Sequence, residues 1–220
     1  LAMQKFDKAD AIFDEAIKSF PGTRTFYRAL VWLGESLSRR GRYDEARARF
    51  GLVLDAFKSA PGKPVDTALA AEASFGAGWT LWQQEKFADA AEAFASALAN
   101  AQSAQLRRDA MLKLGESYVR AGRLADGVGR LKAFLKSNPN DPLADEVQMA
   151  VADLLFGSGS FDAALPEYVA LITGYPKSTL LAKANFNAGW CAWKLGRATD
   201  ALAYFKRAAA LTKDPGMAAE

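Results

Sequence analysis

The sequence predicts an all-α fold, a right-handed α-α superhelix (solenoid) of about eleven helices. The first observation is a residue pattern that repeats along the whole chain at intervals of 37 residues, except for one interval of 44. Three series keep this register: Phe13, Phe50, Phe94, Leu131, Tyr168, Phe205; Phe6, Tyr43, Phe87, Leu124, Phe161, Ala198; and the small residues Ala9, Ala46, Ala90, Gly127, Ala164, Ala201. The second observation is helical spacing of apolar residues inside a repeat, as at Leu106, Met111, Leu114 and Tyr118. Such repeats stack around one continuous core.

Each repeat is predicted to contain two amphipathic helices joined by a tight turn. A glycine suited to a left-handed helix end marks the turn at Gly41, Gly122, Gly159 and Gly196. Glu85 occupies this position in another repeat, and a left-handed Glu would cost about 1 kcal/mol or more, so we expect that turn to close differently. The second helix begins with an acidic residue, which the helix dipole favours, at Asp7, Asp44, Asp89, Asp126, Asp162 and Asp200. Pro166 is expected to kink its helix or delay the start.

The register divides one solenoid over 1–220 into a half repeat and five full repeats: 1–22, 23–63, 64–103, 104–140, 141–177 and 178–215. The longer interval reflects a turn-rich insertion around 60–64. Each first helix carries a small residue that we expect to face the small-residue series of the second helix, at Gly34, Gly78, Gly115, Ala152 and Gly189. The chain opens, without a methionine, on what reads as the second helix of a repeat. We therefore expect it to be a piece of a longer protein.

Composition indicates an ordinary soluble globular protein, with 50% hydrophobic and 24% charged residues. Lys and Arg number 28 against 25 Asp and Glu, a net charge of +3 without a long basic run, so we expect no nucleic-acid partner and no membrane insertion. The absence of histidine removes the commonest metal ligand and general base. Cys191 is a single cysteine, expected to be buried and inert. We predict no catalytic residue, no metal, no cofactor and no enzymatic activity.

Several motifs resemble the tetratricopeptide repeat family. They are Leu-Gly pairs such as Leu33-Gly34 and Leu114-Gly115, the Gly-x-Phe/Tyr-x-x-Ala turn, and a Phe four residues later. The resemblance covers essentially the whole chain, although the standard unit has 34 residues. The three extra residues and the turn Tyr-Pro-x-Ser at 175–178 are similar to the bacterial envelope branch, of the Tol-Pal-associated periplasmic and outer-membrane barrel-assembly lipoprotein types. This resemblance implies a periplasmic or envelope-associated adaptor for other proteins, and it leaves a cytoplasmic location open.

In this family, partners commonly lie on the concave face made by the first helices. Three positions per repeat share that face: Val31, Glu35, Ser38, Phe75, Trp79, Trp82, Leu112, Glu116, Val119, Met149, Asp153, Phe156, Phe186, Trp190 and Trp193. Arg39, Arg120 and Lys194 follow by one residue, where they can pair with acidic groups of a ligand. The predicted partner-binding residues are Phe75, Trp79, Trp82, Glu116, Arg120, Met149, Phe156, Phe186, Trp190, Trp193 and Lys194. The alternative is that these aromatic residues are core between successive first helices.

The predicted function is that of a scaffold or adaptor, which binds a peptide or protein partner on the concave face of the solenoid. Two alternatives stay open at this point. The chain can instead be a structural spacer or an oligomerisation arm that self-associates through the half repeat, at Phe6 to Ala16. It can also be the helical region of an enzyme whose catalytic domain lies outside this sequence.

Overall fold

The computed structural model describes residues 2–60 and 63–211, with only the backbone described for residues 2–8. These described residues form eleven helices and no strand, which confirms the all-α prediction. The helices are α1 (Ala2–Ser19), α2 (Arg24–Arg39), α3 (Tyr43–Ser59), α4 (Thr67–Gln83), α5 (Phe87–Asn100), α6 (Ala104–Arg120), α7 (Leu124–Ser137), α8 (Ala144–Gly157), α9 (Phe161–Gly174), α10 (Leu181–Lys194) and α11 (Ala198–Leu211).

The chain forms two compact units, unit 1 over Leu1–Gly122 and unit 2 over Arg123–Glu220. In unit 1 each helix from α1 to α6 packs against the next, and the first helices α2, α4 and α6 also contact one another in sequence. In unit 2 each helix from α7 to α11 packs against the next. The boundary falls between α6 and α7, inside the predicted repeat 104–140. The predicted single solenoid and its repeat boundaries stay predictions.

The turn inside each helix pair has the predicted left-handed residue. Gly41 has φ +75° and Gly196 has φ +76°, as predicted for a glycine at the end of a helix. The expectation that Glu85 closes its turn differently was wrong, because Glu85 has φ +58°. The backbone bond that closes this turn, from the amide of Lys86 to the carbonyl of Leu81, is 3.0 Å long. The hydrogen bonds that cap the helix therefore outweigh the steric cost of the side chain.

Helix starts follow local side-chain chemistry. Asp66 Oδ1 accepts a 2.8 Å hydrogen bond from the backbone amide of Leu69, which caps α4 at its start. An acidic residue lies in the first turn of every second helix from α3 to α11. The exception is Asp7, because α1 begins at Ala2, earlier than the repeat register predicts. Pro166 lies inside α9, which begins at Phe161, so the proline does not delay the helix.

Aromatic rings of the second helices fill the core beside glycines of the first helices. Phe50 of α3 is fully buried, and a Cβ built at Gly34 of α2 would lie 2.8 Å from its ring. Phe94 of α5 is buried against Gly78 of α4 in the same way. We expected these glycines to face the small-residue series of the second helix. Their close neighbours are the aromatic rings, which need the space that a missing Cβ leaves.

Candidate functional site

A cavity of about 680 Å³, which we call the central notch, opens between α2 and α4 on the first-helix face of unit 1. Its walls and floor include Glu35 and Arg39 of α2, Phe75, Trp79 and Gln83 of α4, and Phe50 with Gly76 beneath. A Cβ at Gly76 would lie 2.4 Å from the Phe50 ring, so only glycine lets α4 approach this ring so closely. The notch is thus a concave site with an aromatic interior and a polar rim, as binding sites commonly are.

Two charged groups of α2, Glu35 and Arg39, lie one helical turn apart on the rim of the central notch. Burial raises the pKa of the Glu35 carboxyl above its ordinary value, and the Glu72 carboxylate adds to this, whereas Arg39 and Arg28 lower it. Glu72 is held by an ion pair with Arg28. Arg39 is exposed and interacts electrostatically with Glu35. The rim therefore offers one accessible cation beside a carboxyl whose charge is poorly solvated.

A second cavity of about 360 Å³, the outer notch, lies between α1 and α2. Its lining is Ala9, Phe13, Trp32, Glu35, Ser36 and Arg39. In the repeat register Phe13 corresponds to Phe50, and Trp32 corresponds to Gly76. The two cavities adjoin and share Glu35 and Arg39, but the central notch has a first helix on both sides, whereas the outer notch has α1, a second helix, on one side.

In α6 the residue that corresponds to Gly76 in the register is Lys113. Lys113 Nζ lies 5.0 Å from the ring centroid of Trp79 and 4.6 Å from that of Trp82. The same Nζ forms a 2.7 Å ion pair with Glu116. Cation–π attraction and this ion pair together hold the lysine over the aromatic pair.

The predicted site residues of unit 1 come together on this face. The indole rings of Trp79 and Trp82 stack at 5.6 Å with an interplanar angle of 9°. Both are half-buried, and Phe75 lies 5.3 Å from the core ring of Phe94. Arg120 is exposed, with its guanidinium carbon 5.9 Å from the Trp82 ring. These aromatic residues are thus packed on their inner side and accessible on the outer side.

The predicted site residues of unit 2 differ from one another in their exposure to solvent. Met149 is only 4% exposed and belongs to the core of the unit, and Phe156 packs on the rings of Phe161 and Tyr168. Phe186 lies 6.3 Å from Trp190. The most accessible predicted residues are Trp190, Trp193 and Lys194, with Trp193 57% exposed.

Three residues that shape the unit 1 face were not predicted from the sequence: Trp32, Gly76 and Lys113. They share one repeat position, two residues before the small first-helix residue, and this shared register was the available signal. Trp32 is 47% exposed and lies 5.5 Å from Phe13, so the fifth tryptophan also belongs to the face. Val31, which was predicted to line this face, is buried in the core, whereas Ser38 is only 7% exposed but lines the central notch.

Three further features of the described residues concern metal binding, membrane insertion and the reactivity of the cysteine. Within 2–60 and 63–211, no group of three or more metal-ligating acidic or cysteine side chains comes together. Over the same ranges no helix is both long and apolar enough to span a bilayer. Cys191 is buried as predicted, and burial raises the pKa of its thiol to about 11, which keeps it protonated and unreactive at neutral pH.

Solved structures with a similar fold include YrrB, a TPR protein with an unusual peptide-binding site, at 23% identity and a TM-score of 0.54, covering 94% of this chain and 95% of that chain. MamA is similar at 17% identity and a TM-score of 0.54, covering 84% and 91% respectively. The apo form of RapI has 12% identity and a TM-score of 0.63, covering 96% of this chain and 61% of its own. At these identities the likeness concerns the fold alone.

No curated protein sequence matches the chain. Two family models, both described as tetratricopeptide repeat, match residues 25–103 and residues 112–179 and 181–218. These matches cover well over half of the sequence, and they agree with the helix pairs, the turn residues and the similar solved structures. Proteins of this kind are generally non-catalytic scaffolds for protein partners. The chain belongs to the tetratricopeptide repeat family.

Proposed function

We propose that this protein is a non-catalytic scaffold that binds a peptide segment of a partner protein on the first-helix face of unit 1. The observation that carries the proposal is the central notch, a cavity of about 680 Å³ with Phe75 and Trp79 in its walls and Glu35 and Arg39 at its rim. A space of this size lies within the range of about 300–1,000 Å³ that is usual for ligand-binding pockets. Peptide binding is compatible with the fold, since YrrB has a peptide-binding site.

The energetics favour a peptide with an apolar anchor. Fully burying a Leu or Phe side chain contributes about 1.5–3 kcal/mol, and the aromatic walls exclude water around it. Arg39 at the rim offers charge-assisted hydrogen bonds to a carboxylate or carbonyl of the same segment. Selectivity would arise from this polar rim, and affinity from the anchor.

Selection of peptides from a random library against the full chain tests the proposal, followed by calorimetric measurement of Kd for the selected peptides. Trp79→Ala should weaken binding at least tenfold, and so should Arg39→Glu, which alters an exposed rim residue. Lys58→Ala is the control, because Lys58 is exposed on α3, away from the notch. Melting temperatures of all variants separate lost binding from lost folding. Unchanged affinity in both notch variants, or failure to select any peptide of micromolar affinity, would refute the proposal.

A corresponding substitution tests whether the aromatic residues of unit 2 form a second binding site for the same partner. Trp190 is 38% exposed, so Trp190→Ala should leave the melting temperature nearly unchanged. If the unit 2 face contributes, this variant will weaken the binding of a partner protein long enough to reach it. If both tryptophan variants instead lose several degrees of stability and affinity falls only with folded protein, the tryptophans are core.

We further propose that the protein works in a bacterial envelope assembly, in the periplasm. Its support is limited to the 37-residue repeat and the turn motif at 175–178. Fractionation of cells that express the tagged full-length protein tests the location, with recovery in the cytoplasmic fraction as the contrary result.

A second candidate function is self-association through α1. Ile12 of α1 is 64% exposed, and Phe20, which follows the end of α1, is 51% exposed, so large apolar side chains are accessible at this end of unit 1. The segment predicted to self-associate begins at Phe6, whose side chain lies outside the described residues. Sedimentation of wild type against Ile12→Glu tests this function: a dimer that the substitution dissociates supports it, and a monomeric wild type excludes it.

A further inference from the structure

Three first helices carry an acidic residue at the same repeat position, directly after the small residue: Glu35 of α2, Glu116 of α6 and Asp153 of α8. Two of them bind a lysine of this chain. Glu116 forms a 2.7 Å ion pair with Lys113 Nζ, and Asp153 forms a 3.0 Å ion pair with Lys183 Nζ. An acidic side chain at this position therefore binds an ammonium group in unit 1 and in unit 2.

Among the residues that the structure describes, no cation lies within ion-pair distance of the Glu35 carboxylate. The position three residues before the acid, which holds Lys113 in α6, holds Trp32 in α2. The counterpart of Lys183 on the first helix that follows Glu35 is Glu72 of α4. Neither Trp32 nor Glu72 can supply a cation, so Glu35 lacks the ion pair that its two counterparts make.

The central notch places the Glu35 carboxylate beside a space that a ligand side chain can enter. Phe75 and Trp79 line the same cavity of about 680 Å³. A lysine suits this combination, because its methylene stem packs on apolar surface while its ammonium stays at the polar rim. Trp79 already attracts an ammonium group of the chain, since Lys113 Nζ lies 5.0 Å from its ring centroid. Burial opposes the charge of Glu35, so a cation in the notch would stabilise that charge.

We propose that the partner segment bound by the central notch carries a lysine beside its apolar anchor, and that the ammonium of this lysine forms an ion pair with Glu35. This inference rests on the peptide-binding function proposed above. The apolar anchor and the lysine stem pack on Phe75 and Trp79, and Arg39 binds a carbonyl or carboxylate of the same segment. The ligand thus supplies the cation that Lys113 supplies to Glu116.

The proposed ion pair gives binding a characteristic pH dependence. The charged and titratable groups around Glu35 come from every helix packed against α2: Arg28 and Arg39 of α2 itself, Glu72 of α4, Tyr43 of α3, and Asp10 of α1, which is paired with Arg40. Burial raises the pKa of the Glu35 carboxyl, so Glu35 loses its charge at a higher pH than an ordinary glutamate. A lysine peptide should therefore bind more weakly as the pH falls, whereas a purely apolar peptide should bind no more weakly.

Peptide selection against a matched pair of proteins provides the test. A random peptide library is selected against the wild-type chain and against Glu35→Gln, which keeps the size of the side chain and removes its charge. Lysine close to a large apolar residue should be enriched over the input library by the wild type, and not by Glu35→Gln.

Two forms of the tightest wild-type peptide then identify the contact. Replacing its lysine by norleucine keeps most of the stem and removes the ammonium, and calorimetry should show a Kd about tenfold higher for the wild type. The same replacement should change the Kd for Glu35→Gln by less than about twofold, because that variant has no carboxylate. Asp55→Asn, an equal change of charge at an exposed residue of α3, is the control and should respond as the wild type does.

The outcomes separate this inference from the proposed function. Selected peptides that need Trp79 for binding but contain no lysine overturn the inference and leave the proposed function in place. An equal loss of affinity in the wild type and in Glu35→Gln overturns it too, since the lysine would then bind another group. A lysine peptide that binds more tightly as the pH falls from about 8 to about 5 is also a contrary result. If no peptide of any kind binds, the inference and the proposed function both fail.

Discussion

The close approach of α4 to the core predicts a specific response to one added methyl group at Gly76. In Gly76→Ala the new Cβ would lie 2.4 Å from Phe50 Cζ and 2.6 Å from Cε1, well inside van der Waals contact. Phe50 is fully buried, and its ring also lies 2.8 Å from the position of a Cβ at Gly34. The ring therefore cannot move away without displacing a second helix. Overpacking of this kind costs about 1–3 kcal/mol.

A matched control removes the effect of helix propensity. Gly51 lies in α3, and a Cβ there would meet no atom within 4 Å. Gly51→Ala should stabilise by about 0.5–1 kcal/mol, because alanine favours the helix. Gly76→Ala gains the same amount, so the difference between the two variants isolates the overpacking cost. We expect Gly76→Ala to melt roughly 2–12 °C below Gly51→Ala, by thermal denaturation followed with circular dichroism. Equal melting temperatures would refute the reasoning.

Three further predictions concern single residues. Glu85→Gly should raise the free energy of unfolding by about 1 kcal/mol, because it relieves a left-handed φ of +58°, and no gain in thermal denaturation would contradict this. Burial raises the pKa of Glu35, so its charge opposes folding at pH 7 but is absent in both states well below 4.5. Glu35→Gln should therefore stabilise the protein at pH 7, with a gain in urea denaturation that shrinks as the pH falls. Cys191 should react with iodoacetamide at pH 8 only after unfolding, and fast labelling of native protein would show an accessible thiol.

The periodic pattern was sufficient to predict the helices, because each second helix must bury one apolar face in every repeat. The starts of α7 at Leu124 and α9 at Phe161 coincide with the predicted series for this reason. The pattern could not predict the conformation of Glu85, since its cost is opposed by cap hydrogen bonds formed only in the folded chain. Conformational propensity describes one residue at a time, whereas the φ angle of Glu85 depends on all the hydrogen bonds of its turn.

The binding face was predicted in part. Helical spacing identified Trp79 and Trp82 as neighbours, and their stacked rings agree with this. It could not distinguish accessible residues from core residues, as Met149 shows, because accessibility depends on which atoms of neighbouring helices lie above each side chain. The open notch depends on an absent side chain at Gly76, and a pattern of large residues does not reveal such a space.

The space of the central notch beside the Phe50 ring depends on the glycine at position 76. A substitution at this one position would change which ligand side chains fit against α4, without any insertion, deletion or change in the number of repeats.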